Sequence, residues 1–249
     1  MARGPLRLTS ELVAQVALPP ADALSAPLDP DLIPAVEADY DRIVGNIMTS
    51  ELASEGLWIF AYGSLIWNPA FDHVDQRTAV AHGWHRSFCL GWDKWFRGTA
   101  DQPGLMLALD RGGQCEGVAY RLPPESLEEN LHKLVRREVH FMPHAFPARR
   151  IKLMTTTGAM NGVTFAMDRT SGRYVSGLAM DEIADVLAVA AGRLGSMAEY
   201  LLSTVHHLEA LGLHDRHLWK LQEMVASRIE ATARRAAGQS SELRLDWGV

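Results

Sequence analysis

The sequence predicts an α+β fold, because two textures meet near Gly177. Between Leu57 and Asp168, apolar runs of strand length alternate with turn residues, whereas beyond Gly177 the apolar positions recur at helical spacing. Ahead of both, residues 1–30 follow neither period and carry Pro19-Pro20, Pro27 and Pro30, which break regular structure and leave an extended arm.

After the arm, Leu32, Val36, Tyr40, Val44 and Ile47 form one stripe, so residues Asp31 to Met48 are expected as a helix, with Pro34 tolerable only in its first turn. Strands are expected at Leu57–Tyr62, Trp84–Trp92, Gly104–Asp110, Gln114–Leu122, Arg149–Thr155 and Gly162–Asp168. Arg111-Gly112-Gly113 between two of them has the composition of a hairpin turn. One helix interrupts the strands, at about Pro124 to His140. Three amphipathic helices complete the chain, Asp181–Ala191, Ser196–Leu211 and Asp215–Ala237, with Asp181 and Asp215 placed as N-caps. Residues 1–50 are thus expected as an N-terminal arm and helix wrapped on a single domain over residues 51–240.

With 249 residues, the chain can bury a sizeable core without disulfides or metal. Lys and Arg number 24 against 30 Asp and Glu, giving net −6, and no basic block could neutralise a phosphate backbone. Nucleic acid is therefore excluded as a main partner, while a small charged metabolite is compatible with one local pocket. Cys89 and Cys115 stand apart without a CxxC pair, which excludes a disulfide framework and a cysteine zinc site. The pairs His82/His85, His140/His144 and His214/His217 lack an HExxH pattern or a third ligand at metal spacing, so no metal is expected. No uncharged apolar run is long enough to span a membrane, and the first residues lack a signal-like apolar stretch. The expected location is the cytoplasm.

The most informative residue is Glu138. Leu127, Leu131, Leu134 and Val135 define the apolar face of the Pro124–His140 helix, and the next position on that stripe is 138. An inward carboxylate is costly unless it is paired or its pKa rises. Periodicity alone leaves two readings open, a structural ion pair with a neighbouring arginine (Arg136, Arg137, Arg149 or Arg150) and a catalytic carboxylate. The second feature is the strand that enters Tyr62-Gly63-Ser64 and leaves through Leu65-Ile66-Trp67. Gly63 lets the backbone approach a ligand closely, yet a plain tight turn has the same composition. The third is Arg97, able to grip a substrate carboxylate or to pair with Asp93 or Asp101.

Taken together these stretches resemble the ChaC-like γ-glutamylcyclotransferases. The likeness lies in Trp58-Ile59-Phe60-Ala61-Tyr62-Gly63-Ser64-Leu65-Ile66-Trp67, in Arg97-Gly98-Thr99 with Pro103-Gly104-Leu105, in Cys115-Glu116-Gly117-Val118-Ala119-Tyr120-Arg121-Leu122 and in Arg136-Arg137-Glu138. It continues through Tyr200-Leu201 and Leu211-Gly212-Leu213-His214-Asp215, and so runs from about Trp58 to Val225. The resemblance implies a small mixed β-barrel with flanking and C-terminal helices. It implies conversion of glutathione to 5-oxoproline and Cys-Gly without a cofactor. It also implies Glu138 as general acid/base, with Tyr62, Gly63, Ser64, Leu65, Ile66, Trp67 and Arg97 around the substrate. Other γ-glutamyl compounds as substrate, or a non-catalytic γ-glutamyl sensor, are the alternatives. Two residues depart from the family pattern: Ala61 stands where Gly is usual, and Met197 near a common Asn. The second departure puts a contact at that helix start in question.

Overall fold

A computed structural model describes residues 4–24, 32–48 and 56–245. In chain order the elements are α1 (Ser10–Val13), α2 (Ala21–Leu24), β1 (Ile33–Pro34), α3 (Glu37–Met48), β2 (Trp58–Ala61), β3 (Asp75–Asp93) and β4 (Gly104–Arg121). They continue with α4 (Leu127–Glu138), β5 (Phe141–Met142), β6 (Ala148–Thr155), β7 (Gly158–Phe165), α5 (Met180–Val189), β8 (Ala191–Gly192), β9 (Gly195–Ser196), α6 (Met197–Ala210) and α7 (Arg216–Leu245).

The barrel closes in the order β2-β4-β3-β6-β7, with β7 returning parallel to β2 at Val163 and Ile59. All four residues of β2 are buried, as expected of an uninterrupted apolar run between two neighbours. The α+β expectation and the barrel implied by the resemblance both describe this architecture. The expected hairpin at Arg111-Gly112-Gly113 is corrected. β3 and β4 are the two arms of one long hairpin turning at residues 94–103, and Gly112 and Gly113 lie inside β4. There the register passes from His82 opposite Gln114 to Trp84 opposite Arg111, so Gly83 faces two residues. All three glycines have positive φ, the backbone of a bulge that twists the ribbon without reversing it. The glycine pair marks left-handed backbone, which a turn and a bulge share.

Pro34 is not in a helix. It lies extended opposite Phe141, held by that pairing and by the Ala35 N–H donating to the His140 carbonyl at 3.0 Å, and α3 begins only at Glu37. Ile43, Val44 and Ile47 of α3 enter the same apolar cluster as Leu131, Leu134 and Val135 of α4. The arm is not wholly extended, since α1 and α2 are single turns, and Leu8 ahead of them is fully buried with its N–H donating to Gln222 Oε1 at 2.8 Å.

The C-terminal helices keep the expected periodicity, with one cap reassigned. Asp215 caps α7, its Oδ1 accepting the Leu218 N–H at 3.0 Å. Asp181 does not cap α5; the Glu182 carboxylate accepts the Ala179 N–H instead, and Asp181 pairs with Arg228 of α7 at 2.7 Å. On α6, Leu201, Val205 and Leu208 pack into the main core, while Leu211 just beyond the helix is 41% exposed. Among the described residues no helix is long and apolar enough to cross a membrane.

Candidate active site

The end of α4, the turn after β2 and the first half of α6 converge on one cavity of about 400 Å³, whose walls include Ser64, Trp67, Arg97, Arg137, Glu138 and Tyr200. Behind it lies a chamber of about 80 Å³ bounded by Tyr62, Gly63, Ser64, Leu65, Glu138 and Tyr200. Glu138 thus faces both spaces from the last residue of its helix. The periodicity that aimed it inward is sound: Leu131, Leu134 and Val135 on its stripe are fully buried, and the Glu138 side chain is 14% exposed.

Of the two readings left open by periodicity, the ion pair is the one the geometry displays. An ion pair forms, with Arg137, whose Nη1 donates to Glu138 Oε1 while Nη2 donates to Ser64 Oγ at 3.1 Å. Arg136 turns away to Glu37, and Arg149 lies beside Asp168 at 4.0 Å. The pair nevertheless lines a cavity rather than sealing a core. Burial holds the Glu138 carboxyl above the usual glutamate range, against the opposing pull of the Arg137 charge and hydrogen bond.

The turn is a single 3₁₀ turn, Ser64–Ile66, closed by the Ile66 N–H donating to the Gly63 carbonyl at 2.9 Å. A Cβ on Gly63 would stand 3.1 Å from the Tyr200 hydroxyl, so the small residue keeps this approach open. Tyr62, Gly63, Ser64 and Leu65 face the chamber and Trp67 the larger cavity. Ile66 lines neither space; its side chain joins the apolar core and its carbonyl accepts the Tyr120 hydroxyl at 3.2 Å. Burial, aided by the nearby Glu138 charge, raises the Tyr62 hydroxyl well above its ordinary pKa. Burial likewise raises Tyr200, so both stay protonated donors at neutral pH.

Arg97 lines the larger cavity, and it pairs with neither Asp93 nor Asp101 through its guanidinium. Asp93 accepts the Arg97 backbone N–H at 2.6 Å, together with those of Trp95 and Phe96, and so shapes the hairpin loop rather than neutralising the guanidinium. The guanidinium lies 5.2 Å from the Tyr200 ring, and among the described residues both its hydrogen bonds use Nη1, to the Ser196 carbonyl at 2.8 Å and Glu199 Oε2 at 3.4 Å. Met197 is fully buried, and the polar duty at this helix start belongs to Ser196, whose Oγ accepts the Glu199 N–H at 3.1 Å. His140 and His144 also line the cavity, and burial lowers both imidazoles below the usual histidine range. Among the described residues no three potential ligands gather where they could hold a metal ion.

Two residues escaped the sequence reading. Tyr200 forms a wall of both spaces, yet helical spacing gave it no distinction from its core neighbours. Arg86 lies beneath the turn with its side chain 3% exposed, donating to the Tyr62 carbonyl, the Glu116 carbonyl and, at 3.1 Å, Asp215 Oδ2. A signal for it existed: Arg86 alternates with Phe88 and Leu90 on the inward side of an expected strand, where a charge is as anomalous as Glu138 on its helix.

The profile of a family described as ChaC-like protein matches residues 57–228. A relative from Escherichia coli named glutathione-specific γ-glutamylcyclotransferase is 43% identical over 160 residues, covering 64% of this chain and 68% of the relative. A human relative named glutathione-specific γ-glutamylcyclotransferase 1 is 30% identical over 189 residues, covering 70% of this chain and 81% of its own length. Among solved structures, a yeast γ-glutamyl cyclotransferase specific to glutathione superposes with a TM-score of 0.62 at 22% identity, over 69% of this chain and 96% of that one, a likeness of fold.

Proposed function

Because the chain belongs to the ChaC-like family, we propose that it is a γ-glutamylcyclotransferase that cleaves glutathione to 5-oxoproline and Cys-Gly, with Glu138 moving the protons. The observation that carries this reading is a carboxylate of raised pKa in the wall of a chamber whose other side is the Tyr62–Leu65 turn.

The reaction closes a five-membered lactam. The α-amine of the γ-glutamyl unit attacks its own γ-carbonyl carbon, and the C–N bond to the cysteine nitrogen breaks. Attacker and target are already tethered, so orientation alone supplies part of the barrier, up to about 7–11 kcal/mol in ideal geometry. The rest is proton traffic. The amine is largely ammonium at neutral pH and must lose a proton before it attacks, and the departing nitrogen must gain one. Glu138, made more basic by burial, takes the further proton that the attacking nitrogen sheds as the lactam forms and passes it to the departing nitrogen, the ammonium's first proton having gone to solvent.

The γ-glutamyl head group is assigned to the chamber, against Tyr62, Gly63, Ser64 and Leu65, with the neutral tyrosine hydroxyls as donors to substrate oxygens. Arg97 and Arg137 line the larger cavity beside the chamber, where their guanidinium groups suit the α-carboxylate. Trp67 and Phe96 line the larger cavity, where the Cys-Gly portion would lie.

Incubating the purified protein with glutathione and, separately, with γ-glutamyl-Ala, then quantifying 5-oxoproline by mass spectrometry, tests the reading. Lactam from glutathione is expected. Lactam from γ-glutamyl-Ala alone would move the substrate to another γ-glutamyl compound, and none from any γ-glutamyl donor would reject the enzyme.

The pH profile provides a second prediction. The base works as a carboxylate, so kcat/KM rises with pH through the Glu138 pKa, and its acid limb should lie above the ordinary glutamate range. Arg137 favours the charged form. Arg137→Met therefore raises the Glu138 pKa further and moves the acid limb to higher pH, measurable by initial rates between about pH 4.5 and 8. An unmoved limb would show that another group sets it.

A further inference from the structure

Glu138 ends α4, and the segment beyond it is held by residues from outside the matched region. Val139 closes the helix, its N–H donating to the Val135 carbonyl at 2.8 Å, and the chain then runs extended through His140, Phe141 and Met142. His140 and Phe141 are walls of the cavity. A two-residue strand has no stability of its own, and among the described residues β5 has one strand partner, β1, with Ile33 opposite Met142 and Pro34 opposite Phe141. The Ala35 N–H adds a hydrogen bond to the His140 carbonyl at 3.0 Å, two residues beyond the carboxylate.

The N-terminal segment then continues onto α4. Glu37 takes both terminal nitrogens of Arg136, whose guanidinium also lies 4.8 Å from the Tyr40 ring, and Asp41 stands 3.7 Å from His132. Consecutive residues therefore divide the last turn of the helix: Arg136 goes to the N-terminal segment, Arg137 to Ser64 and Glu138 to the cavity. An exposed pair such as Arg136–Glu37 is weak alone, but here it acts with a strand pairing, a backbone hydrogen bond and the buried face of α3.

We propose that residues 33–48, which precede the family match at 57–228, are a positioning element of the active site: β1, the Ala35 amide and α3 fix the turn that carries Glu138 and the His140–Phe141 wall beside it. The proposal rests on the cyclotransferase reading for its kinetic consequence and on geometry alone for its structural one. Two variants of the 249-residue chain, each with its own control, test it. Ala35→Pro deletes the donor to His140, while Ala35→Ser keeps it. Glu37→Arg turns the pair with Arg136 into a repulsion, which Glu37→Arg combined with Arg136→Glu reverses.

Ala35→Pro and Glu37→Arg are expected to lower kcat for glutathione at least fivefold with KM within threefold of wild type. Amide exchange over residues 139–142 should rise at least tenfold while that of β3 and β4 is unchanged. Ala35→Ser should match wild type, and the charge swap should recover kcat to within threefold. Folded Ala35→Pro and Glu37→Arg proteins with wild-type kcat and wild-type exchange over 139–142 would overturn the proposal, whatever their melting temperatures. If the wild type forms no 5-oxoproline, the functional reading falls by itself, and the exchange measurement alone decides this one.

Discussion

Glu138→Gln is expected to lower the rate of 5-oxoproline formation from glutathione by about 10²–10⁴-fold, the range over which a positioned acid/base contributes. That loss corresponds to roughly 2.7–5.5 kcal/mol of barrier. Gln preserves the shape and can still accept the hydrogen bond from Arg137, so the cavity should keep its form and glutathione should still bind. Calorimetric titration of the variant should return an affinity close to that of the wild type measured under non-turnover conditions. Stability gives the second readout. The substitution removes a carboxylate that burial disfavours in its charged form, so the variant should melt within a few degrees of wild type. Turnover by Glu138→Gln at the wild-type rate would take the proton shuttle away from this residue; lost turnover accompanied by lost binding would make it a substrate ligand instead.

How far the sequence carries to this site depends on which interactions are local. Glu138 is legible because a helix repeats every 3.6 residues, so five positions between Leu127 and Glu138 suffice to place one face. β2 is legible because an uninterrupted apolar run bounded by turn residues has few other uses. The hairpin between β3 and β4 is not, since a glycine pair states that the backbone is left-handed there and says nothing about whether the chain reverses. Asp181 resembles an N-cap as well as Ser or Asp at any helix start, and only the neighbouring α7, through Arg228, decides that it does something else. Site residues supplied by tertiary contact are the least legible. Tyr200 joins the site from a segment 62 positions beyond Glu138 because α6 folds back over the barrel, and no spacing encodes that. Ile66 shows what a contiguous stretch leaves out: the 3₁₀ turn carries its side chain into the core while its neighbours line the two spaces.

Arg86→Met should be the most damaging single change to the framework, and its signature should be the reverse of that of Glu138→Gln. The guanidinium is nearly sealed from solvent and links three separate parts of the chain: the Tyr62 carbonyl at the turn, the Glu116 carbonyl in β4 and the Asp215 carboxylate at the start of α7. Methionine fills much of the volume but donates nothing, leaving two carbonyls and a carboxylate without their partner. Removing one member of a buried pair typically costs about 3–5 kcal/mol. Asp215 is 19% exposed and still accepts the Leu218 N–H, and the Glu116 carbonyl still accepts the Cys115 thiol at 3.7 Å, which moderates their shares of the cost. A cost of about 3–5 kcal/mol in a chain of this size corresponds to a fall in melting temperature of roughly 6–20 °C. Thermal denaturation monitored by circular dichroism checks it, and a midpoint within about 2 °C of wild type would show that the three acceptors find other donors. Activity should fall as well, because the Tyr62 carbonyl lies at the entrance to the turn assigned to the γ-glutamyl head group. Arg86→Lys, a single ammonium in place of a planar fork, can serve one acceptor well and should recover only part of the stability. A buried arginine under the turn and a buried glutamate across from it thus answer to different measurements, one chiefly to melting temperature and the other to turnover.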